Sequence, residues 1–109
     1  MRVEVMMSLI NQVMDMDNRS IEQRVIKTGE EYGEMCEAVS SATGVVGCGY
    51  KGKTVDDIVE EAWDTIICAI SVALQAKPNM TPKEHKEVFM RKIVKWEQKV
   101  KEGQAVNNA

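Results

Sequence analysis

Apolar residues recur at three- and four-residue intervals along nearly the whole chain, the period of helices packed on one side. Val3, Met6, Met7, Ile10, Val13 and Met14 predict a first helix from about Val3 to Met16. Asp17, Asn18 and Ser20 interrupt it, and Asn18 or Ser20 is placed to cap a second helix over Ile21 to Ser41. The apolar stripe of that helix is Ile21, Val25, Tyr32, Met35, Cys36 and Val39. Gly44, Gly47, Gly49 and Gly52 then mark a loop. Thr54, with Asp57 three residues on, predicts the N-cap of a third helix ending near Ala76, ahead of Pro78 and Pro82. Thr81 caps a fourth helix, Pro82 suits its first turn, and Gly103 is expected to end it. No useful length alternates with period two, so no sheet is expected. The expected fold is all-α and four-helix bundle-like: one domain over 1–103, then a disordered tail from Gln104 to Ala109.

After Asp64 the third helix is apolar almost all round, through Ile66, Ile67, Ala69, Ile70, Val72, Ala73 and Leu74. Such a helix has to be covered on several sides. A chain of 109 residues has few helices to spare for that, so oligomerisation is expected to complete the bundle as a homodimer or homotetramer. A net charge of -3 argues against a protein that coats nucleic acid or an anionic membrane. The longest uncharged helical stretch, Thr65 to Ala76, is too short to span a bilayer. Val5 to Ile10 is approached through Glu4 and followed by no small-residue cleavage site, so no signal peptide is expected. Cys36, Cys48 and Cys68 are odd in number and form no CxxC pair, which favours a reducing, cytoplasmic setting. His85 completes no zinc spacing.

The informative residues are acidic. Glu30, Glu31 and Glu34 stand in Glu-Glu-Tyr-Gly-Glu on the second helix, and Glu60, Glu61 and Asp64 in Glu-Glu-Ala-Trp-Asp on the third. Residues three apart on a helix point to nearly the same side, so Glu31/Glu34 and Glu61/Asp64 form two carboxylate pairs. Both pairs border the apolar stripes. Asp64, followed by uncharged residues as far as Ala76, is the sharpest anomaly. Two facing helices would crowd four carboxylates together, and a divalent cation is the simplest compensation. An all-oxygen set selects a hard ion, Mg²⁺ or Mn²⁺. A single helical Glu is ordinarily a solvated side chain, and Glu30, Glu37 and Glu60 are read that way. Lys27, four residues before Glu31, is placed as its partner.

In these segments the chain resembles the MazG-type all-α nucleoside triphosphate pyrophosphatases. The likeness lies in EExxE followed by ExxD, on Glu30, Glu31, Glu34, Glu61 and Asp64, and in the helix order. The resemblance implies that Glu31, Glu34, Glu61 and Asp64 bind Mg²⁺. It also implies hydrolysis of a nucleoside or deoxynucleoside triphosphate to its monophosphate and pyrophosphate, with water attacking the α-phosphorus. Lys27 matches a lysine that often precedes the family's first carboxylates. Arg91 and Lys95 resemble a basic pair found late in family members, and all three would contact substrate phosphates. Arg91 and Lys95 nevertheless point away from the stripe of Phe89, Ile93, Trp96 and Val100, towards water or a neighbouring subunit's site.

Gly47 to Thr54 also fits GxxxxGK[ST], the phosphate-cradling P-loop pattern. A working P-loop follows a buried strand, and only Val45 and Val46 precede this one. Lys51 and Lys53 remain phosphate contacts on a loop under a milder reading. Two rivals to the pyrophosphatase therefore stand: a non-enzymatic helical interaction module, and a P-loop nucleotide binder.

Overall fold

A computed structural model of the chain describes residues 1–44 and 51–107. Its elements are four helices, α1 (Val3–Met14), α2 (Ile21–Ala42), α3 (Val55–Ala76) and α4 (Pro82–Asn107), with no strand among the described residues. The fold is all-α and bundle-like, as the periodicity predicts.

Short polar signals set the helix starts. Ser20 caps α2 reciprocally: its Oγ accepts from the Gln23 N–H at 3.2 Å, and its own N–H donates to Gln23 Oε1 at 2.8 Å. Thr54 and Asp57 repeat the device at α3, with N···O distances of 2.7 and 3.3 Å. Thr81 and Glu84 repeat it at α4, at 3.1 and 3.2 Å. Two residues past the end of α2, Gly44 takes φ +77, a conformation that penalises any side chain. Gly103 does not end α4, which runs on to Asn107 and makes most of the expected disordered tail helical. A glycine stops a helix when it turns left-handed, and Gly103 does not.

The chain divides into two compact units. One is Leu9–Pro78; the other combines Met1–Ser8 with the chain from Asn79 onward. Within the first, α2 and α3 pack as an antiparallel pair tied at both ends. At one end the buried Arg24 guanidinium donates from Nε to Gln75 Oε1 and from Nη2 to the Asp17 carbonyl at 2.8 Å. Gln75 in turn donates to the Arg19 carbonyl at 3.1 Å, so the link before α2 is pinned to the end of α3. At the other end Ser41 Oγ accepts from the Lys53 N–H at 3.0 Å, and Lys51 pairs with Glu37 at 2.9 Å.

The face that α2 turns inward is not the one expected. Arg24, Glu31, Ala38 and Ser41 are buried, whereas Val25, Tyr32, Cys36 and Val39 of the predicted stripe are exposed. Periodicity marks a face that needs cover without saying which chain supplies it, and here the chain itself leaves that stripe open. In the second unit Met7 and His85 are buried, and Lys86 pairs with Glu4 at 3.0 Å.

The cap at α3 is directly testable. Thr54→Ala should cost about 1 kcal/mol in chemical unfolding at neutral pH. The bonds from Thr54 hold the Asp57 carboxyl below the ordinary carboxylate range. A lowered folded-state pKa gives stability that is present above the ordinary value and lost as pH falls through the lowered one. Thr54→Ala should therefore flatten the acid limb of the stability profile as well as lower its plateau.

Candidate metal centre

Glu31 and Glu34 stand one turn apart on α2, and Glu61 faces them from α3. Each offers a carboxylate oxygen within 4.8 Å of the others, so the pairing of α2 with α3 gathers three of the four predicted acids. Glu31 is buried, Glu61 half-buried and Glu34 exposed. Asp64, the fourth acid of the expected quartet, lies exposed one turn beyond Glu61 and outside this group. Its apolar neighbours suggest burial, but Trp63, Ile66 and Ile67 around it are themselves 40% exposed or more. The face that holds Asp64 has no cover within the chain.

The partnering within the group is incomplete. Lys27 reaches Glu31 Oε1 at 3.1 Å and Glu30 at 3.7 Å, as the i,i+4 and i,i+3 spacings predict. Glu31 Oε2 and Glu61 Oε2 are both buried with no hydrogen-bond partner among the described residues. A buried carboxylate oxygen left without a donor costs free energy, and a cation is one group that would satisfy the two in this cluster. The charges of Glu31 and Glu61 hold the Glu34 carboxyl above the ordinary carboxylate range. Lys27 is pushed up by its bond to Glu31 and stays protonated. Three carboxylates and one ammonium leave negative charge uncompensated, and the all-oxygen donor set suits Mg²⁺ or Mn²⁺.

Two recesses adjoin the cluster and share Arg19 and Lys27. The open one is also lined by Gln23, Ile26 and Glu30. The narrower, about 170 Å³, is bounded by Ile10, Met14, Arg24 and Ile67, with Cys68 at its wall. Burial pushes the Cys68 thiol up, so it contributes as a small apolar group. Arg19 and Arg24 were not anticipated from sequence. The signal for Arg24 was its place three residues after Ile21 and seven before Glu31, on the polar side of α2 that proves to be the inner one. Arg91 and Lys95 belong to the other unit, exposed on α4 and making no ion pair among the described residues.

The P-loop match divides. Gly47 to Tyr50 lie outside the described residues. In the described part Gly52 takes φ +65, the Thr54 hydroxyl is engaged with Asp57, and Lys51 is held by Glu37. These residues carry a helix cap, which accounts for the glycine and the threonine without a phosphate. The chain matches no family model, no curated protein and no solved structure.

Crowding of the three acids has a measurable sign. A raised Glu34 pKa means that the folded chain binds more protons than the unfolded one between the ordinary and raised values. With chelator present, stability should therefore fall as pH rises through that interval. Glu34→Gln should melt higher than wild type in chelator near neutral pH and lose that slope. A lower melting temperature for Glu34→Gln would mean that Glu34 holds the pair together.

Proposed function

We propose that the chain is a Mg²⁺-dependent nucleoside triphosphate pyrophosphohydrolase, akin to the MazG-type enzymes it resembles in EExxE and ExxD. The observation that carries this reading is the convergence of Glu31, Glu34 and Glu61 with two buried, unpartnered carboxylate oxygens. No helix among the described residues is long and apolar enough to cross a membrane. The substrate in this reading is a free nucleotide in the cytoplasm, where Cys36 and Cys68 stay reduced.

Glu31, Glu34 and Glu61 would hold the cation; Asp64, exposed one turn beyond Glu61 and outside that group, is the fourth carboxylate that the resemblance implies. When bound, Mg²⁺ (or Mn²⁺) neutralises phosphate oxygens and acidifies a coordinated water. Glu31 is fixed by Lys27, so its free oxygen is oriented before any ion arrives. Lys27 and Arg19 line both recesses, and Lys27 also pairs with Glu31, so these two cations would hold the phosphate chain. Arg91 and Lys95 belong to the other unit, and only the family resemblance makes them candidates for phosphate contacts.

Self-association into a homodimer or homotetramer is part of this proposal. Among the described residues no large side chain is fully buried, while Val25, Tyr32, Val39, Trp63, Ile66 and Ile67 stay 40% exposed or more. Faces of that extent are unusual on a free-standing chain. The same observation favours a second reading, the non-enzymatic helical interaction module, in which the acids hold no substrate.

The bond that breaks separates the readings. With Mg²⁺ and a panel of nucleoside and deoxynucleoside triphosphates, the expected products are monophosphate and pyrophosphate in equal amounts. Glu61→Gln should lower turnover by roughly a hundredfold or more, because it removes one cation ligand. Orthophosphate with a diphosphate would contradict the proposal. No turnover of any nucleotide would select the interaction module.

A further inference from the structure

The second half of α4 has no cover among the described residues. Every described side chain from Phe89 to Ala105 is exposed, including Phe89 (47%), Ile93 (37%), Trp96 (70%) and Val100 (46%). Most helical stability in proteins comes from packing of an apolar face, so burial elsewhere has to sustain this segment. Phe89, Ile93, Trp96, Val100 and Gly103 follow one another at intervals of four, three, four and three, the spacing of a two-helix seam. Ile93, Trp96 and Val100 line an open apolar groove edged by Glu97 and Lys101. Gly103 continues the seam where nothing among the described residues outside its own helix backbone lies within 4 Å of an added Cβ. A mid-helix glycine costs stability, and close approach of a second helix would give it a purpose.

The charges beside the seam say what covers it. With Ile93 and Val100 at the first core position of the repeat, and Phe89 and Trp96 at the second, Lys92 and Lys99 flank one side. Met90, Glu97 and Gln104 flank the other. In a parallel, in-register pair each flanking residue of the first kind meets one of the second kind five positions on in the other helix. Lys92 then meets Glu97 of a second copy twice over, by symmetry, and Lys99 meets the neutral Gln104. An antiparallel pair instead brings Lys92 against Lys99, or Lys99 against itself. We infer that this half of α4 pairs in parallel with α4 of a second copy of the chain, with Lys92 and Glu97 setting the direction. Arg91 and Lys95 fall on the outer side of that pair and stay accessible. Lys86 is already committed to Glu4, so the seam begins at Phe89.

Charge exchange at the two exposed positions tests the inference, with sedimentation equilibrium at micromolar concentration as the readout and far-UV circular dichroism confirming helicity. Wild type should sediment above the mass of one chain. Lys92→Glu and Glu97→Lys should each weaken association roughly tenfold, since each turns two attractive contacts repulsive. The double variant K92E/E97K should recover wild-type association. An equimolar mixture of the two single variants should form the mixed pair in preference to either self-pair. Lys101→Ala separates out the loss of the Glu97–Lys101 contact within the helix, which is 2.7 Å long; it should leave association unchanged. The inference is overturned if wild type is a single chain, or if neither single variant differs from wild type. Stronger association of Lys92→Glu would mean an antiparallel pair, and stronger association of Glu97→Lys would mean an acidic occupant. Weakening by Lys101→Ala equal to that of Glu97→Lys would place the effect inside one helix.

Discussion

Three carboxylates meeting across one helix pair is the condition around which the rest of the α2–α3 unit is arranged. Glu31, Glu34 and Glu61 repel one another, and two of their oxygens are shut away from water. Among the described residues only Lys27 opposes them directly, through Glu31. The pair nevertheless stays closed because it is tied at its ends: Arg24 bridges Asp17 and Gln75 at one, and Ser41 and Glu37 hold Lys53 and Lys51 at the other. The fastenings are polar, and the apolar core between them is small, with Ala38 and Leu74 its buried members. An arrangement that buries acids in place of a larger core gives up stability to hold a geometry.

That trade also bears on the outer surface. The apolar stripe of α2, the neighbourhood of Asp64 on α3 and the seam of α4 are each left open by the chain that forms them. Taken singly, an exposed Val or Trp needs no explanation. Stripes at helical spacing on three helices are another matter, since each has the pattern of a core face. Association of copies would supply the missing burial, and it would leave the inner faces of α2 and α3 to the carboxylates.

The helices and their starts were legible because capping is local: Ser20 with Gln23, Thr54 with Asp57 and Thr81 with Glu84 act within four residues. Glu31, Glu34 and Glu61 were legible because helical spacing puts them on one side of two consecutive helices. The inner face of α2 was not, since periodicity finds the most apolar stripe and the chain packs the stripe of Arg24, Glu31 and Ala38 instead. Asp64 is exposed rather than enclosed for a related reason, since its apolar neighbours Trp63, Ile66 and Ile67 are themselves exposed among the described residues. Gly103 was read as a stop because its composition resembles a terminus, while its backbone stays helical.

Whether the three carboxylates form a cation site is the question on which the account turns. Titrating the metal-free protein with Mn²⁺, and following the free ion by electron paramagnetic resonance, answers it without reference to any substrate. The account predicts saturable uptake of at least one ion per chain, displaced by Mg²⁺ and strongly weakened in Glu61→Gln. Absence of saturable uptake, or uptake unchanged in Glu61→Gln, would contradict it.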